Sequence, residues 1–403
     1  LRLKSKTFTA KAVSVLLIFM LNSERLNMKT IVITLFILTY VIMLTLPKYR
    51  QYAAAAVAVV MVILGVVSPL EAVNAIDWNV IMMLAGTMGT VYLCIESKMP
   101  AMVRDMLVNK LKSVKLIFVA LALFSGFVSA FIDNVATVLM VAPIALAIAK
   151  KFNVSPVNTV LTVAVSSNLQ GAATLVGDTT SILLAGYAGM DFTDFFVTDG
   201  KPGMFWIVQA GAMATIPILF WIFRNEKNRI ETTEITKVTD FMPTYALLAT
   251  VTSLVIASFI PNKPALTNGL ICVFFFIAVL RYEVGRDEPV ATGHDAVLAI
   301  DFDTLLLLSG LFVIIQAVTN VGLIDDISNA FVNIAGDNLF KIYTILVWFS
   351  VLVSAFIDNI PYVATMLPVV SGISAQLGLE PTLLYFGLLA GATLGGNITP
   401  VGA

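Results

Sequence analysis

Apolar and polar segments alternate along almost the whole chain, and the apolar segments are long. Runs long enough for a helix to cross the hydrocarbon core of a bilayer recur at 31–46, 53–67, 80–95, 203–223, 242–260 and 266–280. A backbone in lipid must satisfy its own hydrogen bonds, and a helix does so within one segment. The pattern therefore predicts an all-α polytopic membrane protein.

Composition agrees with a membrane-embedded bundle. Of the 403 residues, 59% are hydrophobic and 12% are charged, whereas a soluble domain is about half apolar and about a quarter charged. The net charge of −1 does not indicate a nucleic-acid partner. Cys94 and Cys272 lie in apolar segments and His294 lies in a polar one, which argues against a disulfide, a metal centre or a bound cofactor.

The first 27 residues do not fit the pattern. Their apolar stretch, 12–21, is too short to span a bilayer, and no small-residue cleavage site marks them as a signal peptide. Met28 directly precedes a clean apolar run. We therefore expect residues 1–27 to be an upstream extension or a fragment artefact.

The chain contains an internal repeat. The six residues Ser-Ala-Phe-Ile-Asp-Asn occur at 129–134 and again, unchanged, at 354–359. Other positions match at the same separation: Pro143 with Pro368, Gly171 with Gly396, Thr174 with Thr399, and Gly177 with Gly402. At a separation one residue shorter, Gly86 matches Gly310. Several matches in one register indicate that the chain is built twice.

Basic residues predict which loops face the cytoplasm, because cytoplasmic loops are enriched in Lys and Arg. One set of loops carries fifteen basic residues: 47–51, 96–115, 150–156, 224–241 and 281–300. The opposite set carries only three: 70–77, 186–202, 261–265, 323–341 and 377–382. The first set is therefore predicted to be cytoplasmic, and the protein to lie in the cytoplasmic membrane.

This assignment requires a hairpin around each Asp-Asn pair that returns to its starting side. The limbs beside each pair are about 15 residues long, short for a tilted span. The first hairpin then opens from the cytoplasm and the second from outside, which makes the repeats inverted, as in many secondary transporters. The predicted first repeat is 28–230, with a re-entrant hairpin at 116–150 and a broken helix at 157–185. The predicted second repeat is 242–403, with a hairpin at 341–376 and a broken helix from 383.

The hairpin tips hold the first candidate site residues, Asp133, Asn134, Asp358 and Asn359. An acid at bilayer depth is costly, so it indicates a functional site. The alternative is that each aspartate only caps the helix that follows it. Capping and ion binding are compatible, because one carboxylate can do both.

The broken helices supply the second set of candidates. Each contains a Gly-rich polar patch inside an apolar segment, with Asn168, Gly171, Thr174 and Asp178 in the first and Gly396, Asn397 and Thr399 in the second. An interrupted helix exposes carbonyls and N–H groups that can hold ions. The alternative is close packing of small residues. Asp178 has no acidic counterpart, since Ala403 occupies the matching position, and it is therefore a candidate proton or sodium site.

These motifs resemble the ion-transporter superfamily from about residue 30 to 403. That group includes arsenite permeases, D-type Na⁺/H⁺ antiporters, the melanosomal P-protein group and citrate or dicarboxylate carriers. The resemblance implies a scaffold domain and a moving transport domain, and it makes a homodimer a candidate assembly. The Asp-Asn tips look more like the arsenite and Na⁺/H⁺ branches. The chain stops partway through the second broken helix, so we expect the sequence to be truncated.

The predicted function is a cation-coupled secondary active transporter that moves a small ion by alternating access. Asp133, Asp178 and Asp358 would bind Na⁺ or H⁺, the expected coupling ions. Neutral ligands would come from Asn134, Asn168, Thr174, Asn359, Asn397 and Thr399. The expected partners are the transported ion or solute and the lipid bilayer.

Other substrates stay open at this point. No Lys or Arg is predicted at membrane depth, so an anionic substrate would depend on half-helix N-termini and a co-bound cation. Carriers of citrate, dicarboxylates, arsenite or antimonite are therefore alternatives. An intramembrane aspartyl protease would need both acids at one bond, and a passive channel would need a continuous polar stripe. The sequence favours neither of these.

Overall fold

The computed structural model describes residues 28–111, 113–226, 235–336 and 338–399. The predicted extension at 1–27 lies outside the described residues, as does Ala403, where truncation is predicted. In the described part the chain is helical apart from short connections and one two-stranded ribbon.

We number the helices of the first half in chain order. Before the first Asp-Asn pair they are α1 (Met28–Thr45), α2 (Arg50–Ile63), α3 (Pro69–Ala75), α4 (Trp78–Glu96), α5 (Met99–Lys110) and α6 (Val114–Ser129), with a 3₁₀ turn at Pro47–Tyr49. After it come α7 (Asn134–Phe152), α8 (Pro156–Gly171), α9 (Thr179–Ala188) and α10 (Met204–Ile222), with a 3₁₀ turn at Phe192–Phe195. The ribbon strands β1 (Val197–Thr198) and β2 (Lys201–Pro202) are antiparallel, with Val197 opposite Pro202.

The second half repeats this order. Its helices are α11 (Met242–Ala257), α12 (Thr267–Val284), α13 (Gly293–Leu298), α14 (Phe302–Asn320), α15 (Leu323–Ala335), α16 (Leu339–Ser354), α17 (Asn359–Leu377) and α18 (Thr382–Gly396). Helices α5, α13 and α15 fall within segments predicted as loops, so those connections are partly helical.

Seven candidate spans are long and apolar enough to cross a membrane in the described part of the chain. They are α1, α4, α7, α10, α12, the continuous stretch of α13 and α14, and α17. Shorter apolar helices, α6, α11, α16 and α18, accompany them. The predicted all-α, multi-pass architecture is confirmed.

Helices from the two repeats pack against each other in two equivalent pairs, α4 with α12 and α2 with α14. A glycine permits each close approach. A β carbon on Gly86 of α4 would collide with the backbone of Cys272, and one on Gly310 of α14 would collide with the backbone of Ala54. Each repeat therefore contributes one helix to each pair, as a pseudo-two-fold relation between the repeats requires.

The equivalence extends to the helix ends. Helix α7 ends at Asn153 and α17 ends at Gly378, and both residues adopt the left-handed conformation, with φ of 54° and 62°. Asn and Gly are the residues that tolerate this conformation best at a helix C-terminus. Both helices also carry a proline at matching positions, Pro143 and Pro368.

Two helical hairpins lie where the sequence predicted them. Helices α6 and α7 meet at 130–133, and α16 and α17 meet at 355–358. The first limbs have 16 residues, but the second limbs have 19, longer than the 15 or so predicted. Helix α7 is longer than predicted because it continues through Lys150 and Lys151, which were assigned to a loop. That the hairpins are re-entrant and the repeats inverted stays a prediction.

Candidate functional site

The two tip aspartates begin the helices that follow them. One carboxylate oxygen of Asp133 accepts hydrogen bonds from the backbone N–H groups of Val135 and Ala136, at 3.0 and 3.2 Å. Asp358 accepts one from Ile360 at 3.0 Å. The capping role considered for these residues is therefore confirmed. It fixes each carboxylate at a helix N-terminus, whose partial positive charge favours an anion.

The segments that follow α8 and α18 are each attached to the adjacent hairpin tip by the same hydrogen bond. The hydroxyl of Thr174 donates to the backbone carbonyl of Ala130, and the hydroxyl of Thr399 donates to that of Ala355. These four residues are matching positions of the repeat. The threonines thus satisfy carbonyls that the ends of α6 and α16 leave without helical partners.

The glycines predicted for the site serve close packing. A β carbon on Gly171 would lie 3.2 Å from the β carbon of Asp178. Gly396 ends α18 and is buried. The close approach at Gly171 agrees with the packing alternative, and ion binding at either glycine stays a prediction.

Three asparagine amides join the two repeats. Asn134 donates to the side-chain oxygen of Asn168 at 3.1 Å, and Asn168 donates to that of Asn397, also at 3.1 Å. Asn168 is 5% exposed and also donates to the backbone carbonyl of Thr393 at 3.2 Å. An amide can donate and accept at once, so one buried residue connects the first hairpin tip to both broken helices.

Asp178 is the most buried acid of the site, with 4% of its surface exposed. It directly precedes α9 without making a side-chain cap, and the hydroxyl of Thr180 donates to one of its oxygens at 2.6 Å. Within the described residues no salt bridge reaches it. A buried carboxylate without a cationic side chain is suited to bind a proton or a metal cation.

A cavity of about 720 Å³ lies between the two hairpin tips. Its charged lining consists of Asp133, Asp178, Asp301, Asp358 and Arg50. The tip amides, Asn134 and Asn359, line it as well. The cavity thus brings together five of the predicted site residues. Six others are not part of its lining: Asn168, Gly171, Thr174, Gly396, Asn397 and Thr399. Of these, Asn168, Asn397, Thr174 and Thr399 make the hydrogen bonds between elements described above.

The position of the cavity along the bundle follows from the helix ends that border it. Pro47, Ile95 and Ala299 line it, and each lies in or beside a loop that the distribution of basic residues assigns to the cytoplasm. Among the described residues, none of its lining comes from the opposite set of loops. Under that assignment the cavity faces the cytoplasm.

Arg50 lines the cavity and was not among the candidate site residues. It was assigned to a loop, and no Lys or Arg was predicted at membrane depth. Helix α2 begins at Arg50 rather than three residues later, and its guanidinium forms a salt bridge with Asp358. The two side chains are 32% and 24% exposed, so both remain accessible from the cavity. Pro47 could have indicated the earlier helix start, because proline is common in the first turn of a helix.

Tyr40 on α1 lies beside this salt bridge and was also missed. Its hydroxyl donates to the carbonyl of Pro361 at 2.8 Å and lies 2.5 Å from the hydroxyl of Thr365. Asp301, which also lines the cavity, caps α14 by accepting a hydrogen bond from the backbone N–H of Thr304. Nothing in the local sequence marks Tyr40, because its partners are distant in the chain.

The carboxylates are spread around the cavity rather than gathered at one point. Across the described ranges no three His, Cys, Asp or Glu side chains form a group that could hold a metal ion. A cation would therefore be bound by one or two carboxylates together with neutral oxygens from amides, hydroxyls or carbonyls. Na⁺ accepts such oxygen ligands, and a single carboxylate suffices for a proton.

Comparisons with known proteins find related transporters. An uncharacterised transporter of Mycobacterium tuberculosis is 29% identical over 93% of this chain and 88% of its own length. The P protein of Mus musculus is 24% identical over 70% of this chain and 43% of its own length. The crystal structure of the Alcanivorax borkumensis YdaH transporter matches 82% of this chain and 76% of that one, with 14% identity and a TM-score of 0.51. At this identity the last comparison shows a shared fold.

The sequence model described as citrate transporter (CitMHS) matches residues 15–391, nearly the whole chain. The resemblance to the ion-transporter superfamily is thereby confirmed. The match is to the citrate branch, whereas the Asp-Asn tips had favoured the arsenite and Na⁺/H⁺ branches. This chain belongs to the citrate transporter family of multi-pass membrane transporters.

Proposed function

We propose that the protein is a cation-coupled secondary active transporter that carries a small carboxylate anion of the citrate type across the cytoplasmic membrane. The observation that carries this proposal is the cavity between the two hairpin tips, where Arg50 lies among four aspartates. Its volume of about 720 Å³ is in the range of small-molecule sites, roughly 300–1,000 Å³. The family match supports the substrate class.

The charges of the cavity account for cation coupling. Arg50 attracts a carboxylate, whereas Asp133, Asp178 and Asp301 repel it when they are ionised. Protons or Na⁺ bound at these acids remove the repulsion. The anion then binds well only when cations are bound too, which is the condition for moving both in the same direction.

Alternating access would arise from movement between two groups of helices. The cross-repeat pairs α4 with α12 and α2 with α14 form one group, the scaffold. The hairpins and broken helices form the other, joined by the hydrogen bond from Asn168 to Asn397. In this proposal the present arrangement is open to the cytoplasm, and displacement of the second group opens the cavity to the opposite side.

Uptake by reconstituted protein tests the proposal. Full-length protein in proteoliposomes should accumulate radiolabelled citrate when an inward proton or Na⁺ gradient is imposed, and collapse of that gradient by an ionophore should stop accumulation. Asp326→Asn, which removes an exposed carboxylate outside the cavity, should behave like the wild type. No gradient-driven uptake of citrate or of other small carboxylates would refute the proposal.

A second candidate function is the exchange of Na⁺ for protons. Asp178 is buried without a salt bridge within the described residues, and acids outnumber basic groups in the cavity lining. A fluorescent pH probe in everted vesicles tests it. A pH change on adding Na⁺ or Li⁺ without any carboxylate, absent in Asp178→Asn, would favour exchange over anion transport.

A further inference from the structure

The salt bridge between Arg50 and Asp358 connects the two groups of helices. Arg50 is the first residue of α2, which packs on α14 in the scaffold. Asp358 is the tip residue of the second hairpin and caps α17. Both residues line the cavity, where a substrate would reach them. The contact therefore involves the only cationic group among the described lining residues and one of the acids.

We propose that Arg50 binds a carboxylate of the substrate in place of Asp358, and that the released Asp358 then binds the coupling cation. This inference rests on the proposed function, because it requires an anionic substrate. It gives Arg50 and Asp358 distinct roles in one exchange: Arg50 holds the anion, and Asp358 links anion binding to cation binding.

The chemistry of the guanidinium supports the exchange. Its planar array of N–H donors matches a carboxylate, and it is always charged. A substrate carboxylate presents the same two oxygens as Asp358, so one partner can replace the other without leaving Arg50 unpaired. Asp358 itself stays in position, because the N–H of Ile360 continues to hold it at 3.0 Å.

The groups around Asp358 explain why this carboxylate needs a bound cation once it has separated from Arg50. The titratable and charged groups near it are Arg50, Tyr40, Tyr362, Asp133, Asp178 and Asp301. Arg50 is the only one of these that is a cation at neutral pH. A carboxylate that loses its one cationic partner in such surroundings is unstable until it binds a proton or a metal ion.

The competing explanation is that the salt bridge only fastens the hairpin to the scaffold. The hydrogen bonds of Tyr40 to Pro361 and Thr365 already connect α1 to the same hairpin limb. A fastening role predicts that removing both charges together is tolerated. The exchange predicts that removing both weakens substrate binding about as much as removing Arg50 alone, because no other cation lines the described cavity.

Citrate binding to purified full-length protein in nanodiscs tests the inference, at several pH values and Na⁺ concentrations. Removing charged hydrogen bonds to a ligand costs roughly tenfold to a hundredfold in affinity. Arg50→Gln should therefore weaken citrate binding by about that factor, and Arg50→Lys should weaken it less. Asp358→Asn should bind citrate at least as tightly as the wild type and should depend less on the coupling cation than the wild type does.

The double variant Arg50→Gln with Asp358→Asn decides between the two explanations, since it leaves no unpaired charge that could prevent folding. Citrate binding that is weakened in this variant about as much as in Arg50→Gln supports the exchange. Wild-type binding by it, or full cation dependence in Asp358→Asn, would overturn the inference while leaving transport intact. If the wild-type protein neither binds nor transports any carboxylate, the proposed function itself has failed. Asp326→Asn, which breaks the exposed salt bridge with Lys29, is the control.

Discussion

The side-chain amide of Asn168 in the first repeat donates to the side-chain oxygen of Asn397 in the second, at 3.1 Å. Asn168 lies near the end of α8 and is buried, and Asn397 directly follows α18 and is half-buried. Removing one partner of such a hydrogen bond costs more than the net strength of the bond, because the other partner is left unsatisfied. This contact makes the two broken helices one unit.

Asn168→Ala should weaken that unit. The loss leaves the amides of Asn134 and Asn397 without this partner, and we expect a destabilisation of about 1–3 kcal/mol together with loss of most transport. The measurement is thermal unfolding in detergent followed by citrate uptake. Asn74→Ala, at an exposed position of α3, is the control. Normal stability and uptake in Asn168→Ala would show that Asn168 does not hold the two repeats together.

The two threonine hydrogen bonds should be equivalent in energy. Thr174→Val and Thr399→Val replace the hydroxyl at nearly constant volume, and each leaves a tip carbonyl, of Ala130 or Ala355, without its donor. We expect each variant to lose about 1–3 kcal/mol of stability. Unfolding experiments on both variants check this. A large difference between them would contradict the equivalence of the two tips.

Asp178→Asn should uncouple cation movement from transport. The amide has nearly the shape of the carboxylate and still accepts from Thr180, so the fold should be retained. Without an ionisable group at this buried position, fewer protons or Na⁺ ions should enter with each citrate than in the wild type. The measurement is cation flux during citrate uptake. Wild-type coupling in this variant would exclude Asp178 as one of the cation sites.

The scaffold contacts at Gly86 and Gly310 should tolerate no side chain. An added β carbon meets the backbone of Cys272 or Ala54, and overpacking of this kind costs about 1–3 kcal/mol. Gly86→Ala and Gly310→Ala should therefore both lower the unfolding temperature. Gly211→Ala, where a β carbon meets nothing within 4 Å, should leave it unchanged or raise it slightly, because Ala favours a helix interior over Gly. Equal stability of all three variants would contradict the close cross-repeat packing.

The sequence predicted much of the fold because the repeat is exact where the chain turns. The recurrence of Asp133 and Asp358, each after the same four residues, located both hairpins and both helix caps. Such features are local, and residue type alone specifies them. The lengths of α7 and α17 were underestimated, since a helix boundary depends on packing as well as on residue type.

Contacts between distant residues could not be predicted in this way. Arg50 and Asp358 are 308 positions apart, and Tyr40 and Pro361 are 321 apart. Arg50 is one of several basic residues near predicted cytoplasmic loops, and only the packing of α2 on α14 directs it to the hairpin tip. The acids of the site were recognisable because charge is rare in lipid, whereas the cation lay at a helix end, where charge is common.

The most direct test of cation-coupled anion transport is the simultaneous measurement of citrate uptake and cation influx in the same proteoliposomes. The account predicts a fixed ratio of cations to citrate over a range of citrate concentrations, with both fluxes lost in Arg50→Gln. Citrate uptake without cation influx, or cation exchange that proceeds equally well without citrate, would contradict it.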